Sequence, residues 1–307
     1  MNESKHYDLL IFGGGPAGIS AGIWADELGL SSAIVDRRFT LGGQLWNVHN
    51  EIKNFPGAEF ENGEAMARYL SEQVKKRSTG LLLGREVVEV KVDERQLIFA
   101  DGSSVSGKAL LLATGVSRRK LNVPGEDEFY GNGILRSGAK DPSVVAGKTV
   151  AIVGGGDSAV ENALILSEHA DAVHLVHRRD EFTARPSFLE KIEDRPNIHI
   201  LTSTHVSHFS GGDDLDAIHL VDVDGTSRRL EVDNALIRIG YEPNSELFRD
   251  QVECDDAGYV VSHFRSSNGL FVAGDLKRPI AQTIVSALSD GAEAASLLAD
   301  QLSKVRH

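Results

Sequence analysis

The apolar positions of this chain fall into short runs that stop at glycines and give way to stretches of helical spacing. Asp8-Leu-Leu-Ile-Phe12 is apolar at successive positions, which predicts a parallel strand buried on both faces. Gly13 to Gly18 follows, and an amphipathic stretch then continues to about Leu28. A second apolar run, Ser32 to Val35, ends at Asp36. The same order returns later in the chain. Lys148 to Val153 predicts a strand, Gly154 to Ala159 a turn, Val160 to Glu168 a helix, and Ala172 to Val176 the next strand. Leu110 to Leu112 reads as a further strand ending at Ala113-Thr114-Gly115. It is matched near the C-terminus by Gly269-Leu-Phe-Val-Ala-Gly274-Asp275, before an amphipathic helix over about Ile280–Leu302. Between Asn197 and Asp233 apolar and polar residues alternate around turn signals, which predicts antiparallel sheet.

Two strand–glycine turn–helix–strand units in one chain predict an α/β protein with two Rossmann-like nucleotide-binding domains. The second unit interrupts the first. The expected boundaries are 1–115 and 245–307 for one discontinuous domain of three layers, and 116–244 for the inserted one, with crossovers at Gly115–Arg119 and Gly240–Asn244.

Each glycine set has a physical reason. The first glycine makes a tight turn, the second lets a pyrophosphate approach the backbone, and the third allows the helix to pack on the strand. The pyrophosphate then rests on the free N–H groups of the helix N-terminus. In the first unit these are Gly13, Gly15 and Gly18, and Asp36 stands where a carboxylate accepts bonds from a ribose diol and repels a 2′-phosphate. In the second they are Gly154, Gly156 and Ala159, and the position equivalent to Asp36 is His177, followed by Arg178 and Arg179. Two guanidinium groups in place of an acid suit a 2′-phosphate, with Arg185 a further candidate. The chain therefore argues for two different dinucleotides, the second being NADP. Asp275 suits either a ribityl hydroxyl of a flavin or a helix cap. A helix starting near Gln282 and Thr283 would aim its positive end at a flavin ring.

Composition narrows the setting. There are 45 acidic and 32 basic residues, a net charge of −13, which disfavours nucleic acid and anionic membranes as partners. No apolar run approaches the roughly 20 residues of a membrane span. Polar Met1–Tyr7 and a single thiol point to the cytoplasm. That thiol, Cys254, cannot form an internal disulfide, a Cys-x-x-Cys pair or a cysteine-built metal site, and no metal is expected.

These motifs together resemble the thioredoxin reductase family of FAD- and NADPH-dependent flavoproteins, over nearly the full chain. The resemblance is carried by Gly13-Gly-Gly-Pro-Ala-Gly18, Gly42-Gly43-Gln44-Leu45, Asn54-Phe55-Pro56-Gly57, Ala113-Thr114-Gly115, Gly154-Gly-Gly-Asp-Ser-Ala159, His177-Arg178-Arg179, Gly240-Tyr-Glu-Pro-Asn244 and Gly274-Asp275. It implies a homodimer. It also implies an FAD set of Gly13, Gly15, Pro16, Ala17, Gly18, Asp36, Gly43, Gln44, Asn54, Val88, Ala113, Thr114, Gly115, Gly274, Asp275, Gln282 and Thr283. The NADP set is Gly154, Gly156, Asp157, Ser158, Ala159, His177, Arg178, Arg179, Arg185 and Gly240.

The departures direct the functional reading. Members that reduce thioredoxin carry two cysteines where this chain has Ser137 and Lys140, and the acid after the second remains as Asp141. Ala17 stands where bacillithiol disulfide reductase-like proteins carry a cysteine. The Arg-Gln pair common at the helix start is Gln282-Thr283. With no catalytic cysteines, the resemblance implies an NADPH oxidoreductase of the ferredoxin/flavodoxin–NADP reductase kind. Hydride passes from NADPH to FAD, and electrons then go to ferredoxin, flavodoxin, a quinone or free flavin. A flavin- and nucleotide-binding sensor without turnover is the alternative, and thioredoxin-disulfide reduction is disfavoured. Arg37, Arg38, Arg118, Arg119, Lys120, Lys277 and Arg278 are candidate docking residues, and Trp46 and His49 candidate neighbours of the flavin.

Overall fold

A computed structural model describes residues 5–138, 142–261 and 269–305. The chain divides into two compact units, residues 1–117 with 242–307, and residues 118–241. The first unit opens with β1 (His6–Phe12), α1 (Pro16–Glu27), β2 (Ser32–Asp36), α2 (Gly63–Lys75), β3 (Gly80–Leu83), β4 (Val87–Lys91), β5 (Gln96–Phe99) and β6 (Ser104–Leu112), and the chain leaves along β7 (Val116–Arg118). The second holds β8 (Thr149–Val153), α3 (Asp157–Ser167), β9 (Ala172–Val176), α4 (Pro186–Glu193), β10 (Ile198–Leu201), β11 (Thr204–Gly211), β12 (Leu215–Asp222), β13 (Ser227–Glu231) and β14 (Asn234–Ile237). The chain returns along β15 (Tyr241–Pro243) and ends with β16 (Leu270–Val272) and α5 (Ile284–Val305).

In the first unit the sheet runs β3-β2-β1-β6, all parallel. The long β6 divides its free edge. Its first residues pair antiparallel with β5, and its last three pair parallel with β16, Leu110 opposite Leu270. Alternation along the strands separates two cores. Leu9, Ile11, Ile34 and Leu111 face α1, α2 and α5, whereas Leu10, Val35, Leu110 and Leu112 pack with Leu97, Phe99 and Phe248. Helices α1 and α5 touch at Gly291, where a Cβ would lie 2.0 Å from the Ala17 carbonyl oxygen. The Ser20 hydroxyl donates across the same contact to the Leu288 carbonyl at 2.6 Å.

The second unit stacks three layers. A parallel sheet of order β10-β9-β8-β14 carries α3 and α4 on one face and the antiparallel β11-β12-β13 sheet on the other. Two expectations are revised. Ile198–Leu201 joins the parallel sheet beside β9, so the antiparallel region begins at Thr204. Helix α5 starts at Ile284 because Thr283 caps it. The Ser286 N–H donates to Thr283 Oγ1, and the Thr283 N–H donates to Ser286 Oγ, both at 3.1 Å.

Candidate functional site

The carboxyl ends of β1, β2 and β6, with α1 and the start of α5, enclose a cleft of about 420 Å3 in the first unit. Such edges of an open α/β sheet are where ligands bind. Gly13 leaves β1 at φ +117°, and a Cβ there would lie 2.2 Å from the Ala113 carbonyl oxygen, so no other residue fits between the two strand ends. Gly15 precedes α1, and no side chain caps that helix, which leaves its N-terminal N–H groups facing the cleft. Gly43 packs on this turn, and a Cβ there would lie 2.8 Å from Gly15 Cα.

Backbone N–H groups aim the Asp36 carboxylate. Gly14 donates to one oxygen at 2.7 Å and Arg38 to the other at 2.8 Å. The Gln44 amide donates to the Val116 carbonyl and accepts from Asn47 Nδ2 at 3.0 Å. Thr114 and Asn244 exchange side chain–backbone hydrogen bonds, both at 2.8 Å, which fastens the ends of β6 and β15. On the far wall, Asp290 of α5 accepts from the Gly274 N–H at 2.9 Å and from Lys277 Nζ at 2.7 Å. Beside this clamp the Asp275 carboxylate has no hydrogen-bond partner among the described residues. Burial, and then the negative charge of Asp290, push its pKa up.

Of the expected FAD set, Gly13, Gly15, Pro16, Ala17, Asp36, Gly43, Gln44, Ala113, Thr114, Gly115, Gly274, Asp275, Gln282 and Thr283 line this cleft. Gly18 is buried behind the turn. Two residues depart. Asn54 is exposed in a loop closed by the Ile52–Phe60 bridge, away from the lining. Val88 sits at a β-bulge between Val87 and Glu89 that turns it outward, 48% exposed, while Val87 lines the cleft. Arg85, Glu86 and Asn244 also line it and were not anticipated, and Arg37 and Arg38, named above as docking candidates, line it as well. Asn244 had a signal in Gly-Tyr-Glu-Pro-Asn, which spacing alone reads as a crossover. Trp46 is not part of the lining, and its indole N–H donates to Leu41 at 2.9 Å.

The second unit repeats the turn with different chemistry. Gly154 adopts φ +149°, and a Cβ would lie 2.1 Å from the Arg238 carbonyl oxygen. Gly156 precedes α3, again with no side-chain cap, while Ala159 is fully buried. Arg178 and Arg179 are exposed just after β9 and have no carboxylate partner among the described residues. Ser158 is exposed on the first turn of α3, and Gly240 is exposed before β15 at φ +100°.

His177 is corrected from a ligand-contacting to a wall residue. It is 6% exposed, its Nε2 lies 3.1 Å from the Glu181 carbonyl, and it stacks on Phe182. A Cβ on Gly155 would collide with this ring at 2.3 Å, so histidine fills the space behind the turn. Burial holds its pKa below the usual value. Arg185 and Asp157 spend charge on each other, Nε to Oδ2 at 2.7 Å. Ser137 is half-buried, whereas Lys140 and Asp141 lie outside the described residues. Lys277 is not a docking residue, because its ion pair with Asp290 is nearly enclosed, each side chain 10% exposed.

The family model for pyridine nucleotide-disulphide oxidoreductases matches residues 7–291. The chain belongs to that family. Thioredoxin reductase of Bacillus subtilis (strain 168) is 32% identical over 303 residues, covering 96% of this chain and 94% of that one. A Clostridium pasteurianum "34.2 kDa protein in rubredoxin operon" is 29% identical over 300 residues, 96% of this chain and 97% of that protein. The crystal structure of Lactococcus lactis thioredoxin reductase superposes with a TM-score of 0.80 at 26% identity, over 97% of this chain and 99% of that one. This oxidoreductase is thus a thioredoxin reductase-like flavoprotein that works with FAD and NAD(P)H, and its single cysteine places it on the branch without a dithiol. Among the described residues, no helix is long and apolar enough to cross a membrane.

Both cofactors fit the residues present. Two uncapped helix N-termini stand behind glycine cradles, one with a backbone-aimed acid and an Asp275 without a hydrogen-bond partner among the described residues, the other with two arginines without a carboxylate partner among them. Asp275→Asn is expected to weaken FAD binding about tenfold, by loss of a charged hydrogen-bond acceptor. In flavin-free protein the same change is expected to raise Tm at pH 7. An acid whose folded pKa is raised destabilises the fold while ionised, and that penalty is relieved as pH falls through the folded value. The Tm difference should vanish below the ordinary carboxylate range. Fluorescence titration and thermal melts across pH check the two signs.

Proposed function

We propose that this oxidoreductase takes electrons from NADPH and delivers them to an external acceptor without using a protein dithiol. Bound FAD supplies the redox chemistry, accepting a hydride and releasing electrons singly or in pairs. The first unit is the FAD domain. The α1 N-terminus binds the pyrophosphate, Asp36 orients the adenosine ribose and Asp275 the ribityl chain. The second unit is the NADPH domain, where α3 receives the pyrophosphate and Arg178 and Arg179 the 2′-phosphate. Acceptors that fit are ferredoxin or flavodoxin, quinones and free flavins; the relative named for its place in a rubredoxin operon supports electron-carrier chemistry. A homodimer is the proposed assembly.

The observation that carries this reading is the state of the one thiol. Cys254 lies between β15 and β16, half-buried, with Sγ directed at the Arg249 carbonyl 3.9 Å away. Burial, and then Asp255, raise its pKa, which leaves little thiolate to act as a nucleophile. Cys254→Ser is therefore expected to match wild type in two assays. The first is stopped-flow bleaching of bound flavin by NADPH. The second is turnover with a panel of ferredoxin, flavodoxin, quinones, free flavin and oxidised thioredoxin. Bleaching should be rapid and thioredoxin should not turn over. No bleaching would favour a nucleotide-binding sensor, and thioredoxin turnover lost in Cys254→Ser would overturn the dithiol-free reading.

A further inference from the structure

We propose that Arg118, Arg136 and Arg238 form an oxyanion site in the second unit that takes the phosphate of a small electron acceptor. That ligand assignment rests on the acceptor reading above, whereas the anion site itself does not. Arg238 follows β14 at the carboxyl edge of the parallel sheet and is 7% exposed. Its Nη1 donates to the Ile237 carbonyl at 2.8 Å and its Nη2 to the Arg136 carbonyl at 3.3 Å. Neither partner is charged. Arg118 lies over the ring of Tyr241 at 5.2 Å, and Arg136 over that of Tyr130 at 5.4 Å. An arginine seated on an aromatic face keeps its N–H edge free for a bidentate acceptor.

No carboxylate among the described residues pairs with any of the three. Elsewhere in this unit Arg185, Arg195, Arg228 and Arg229 have carboxylate partners, whereas Arg119 and the exposed pair Arg178 and Arg179 have none among the described residues. In a chain with 45 acids and 32 bases, a cluster of cations without counter-charge needs another explanation. Burial, and then the positive charge of Arg118, push the Arg238 pKa down to about 10, with no acid acting in the other direction beyond Tyr241 and Tyr130. An anion from solution relieves both costs.

Position separates this cluster from the 2′-phosphate residues. Arg178 and Arg179 follow β9, and Arg238 follows β14, on the opposite side of β8 in the sheet. Through the Arg136 carbonyl, Arg238 is bonded to the residue preceding Ser137, the position at which the resemblance places the first lost cysteine. Beside the first of those positions this chain carries Arg136.

The probe is inorganic phosphate, titrated by calorimetry into the FAD-loaded protein with and without saturating NADP. One phosphate per chain is expected to remain with NADP saturating, when Arg178 and Arg179 are occupied. Arg136→Gln, an exposed substitution that spares the core, should weaken it about tenfold, as should Arg118→Gln. No binding, or binding unchanged in both variants, would overturn the site. Displacement by NADP would assign the cluster to the dinucleotide and overturn the acceptor assignment. The ligand class is read separately with FMN and riboflavin as acceptors. FMN, which carries the phosphate, should show a KM about tenfold lower than riboflavin, and Arg136→Gln should remove the difference. Equal KM values in wild type would overturn the phosphate-bearing acceptor. Failure of NADPH to bleach the flavin would sink the reductase reading, while calorimetry still decides the site.

Discussion

Gly18→Ala is expected to cost this protein about 3 kcal/mol and most of its flavin, because the added methyl has nowhere to go. The new Cβ would lie 1.9 Å from the Gly13 carbonyl oxygen and 3.2 Å from Ile11 Cγ2. The nearest neighbour is backbone, so no flexible side chain can swing aside. Gly13 cannot retreat either. Its N–H donates to the Val35 carbonyl at 2.9 Å, and its own Cα packs against Ala113. For a unit of this size the loss corresponds to a fall in Tm of about 10 °C. Gly15→Ala makes the informative contrast. Its φ is −75°, and the nearest atom to a new Cβ is Gly43 Cα at 3.9 Å, so the fold should tolerate it. The methyl would instead stand where a pyrophosphate approaches, lowering FAD affinity with little change in Tm. Thermal melts and flavin content of the purified proteins separate the two. A Gly18→Ala protein with wild-type Tm would show that the turn adapts.

Arg178→Gln combined with Arg179→Gln should lower kcat/KM for NADPH about a hundredfold and leave NADH nearly untouched. A charge-assisted hydrogen bond contributes about 1.5–3 kcal/mol, and about 1.4 kcal/mol is a factor of ten. Two exposed guanidinium groups with no carboxylate among the described residues have that full interaction to offer a 2′-phosphate. Arg185→Gln should do much less, since Asp157 already accepts its Nε at 2.7 Å. Stopped-flow reduction with both nucleotides gives the ratio. An unchanged NADPH/NADH ratio in the double variant would remove the 2′-phosphate assignment.

Much of this was legible in the chain because it is local. A run such as Leu9–Phe12 followed at once by Gly13 needs only the length of one strand and one turn to be read. Two such units with different residues after the second strand, Asp36 and His177-Arg178-Arg179, predict two different nucleotides by charge alone. The absent cysteine pair is equally local, since a missing residue type needs no structure.

What escaped the sequence depends on who neighbours whom. Val88 and Val87 are equivalent by hydropathy, and only the bulge in β4 decides which one faces the cleft. His177 reads as part of a basic triplet, yet the close approach of Gly155 makes it a buried wall beneath two exposed arginines. Lys277 and Asp290 are separated by a helix start, and Arg238 lies more than a hundred residues along the chain from Arg118 and Arg136. By itself the sequence determined the two glycine turns, the different charges that follow them and the absence of a Cys-x-x-Cys pair, because strand, turn and helix signals act over a few residues. The tertiary structure alone decided which groups lack partners, because compensation of a buried charge or an aimed carboxylate depends on distances that only chain packing sets.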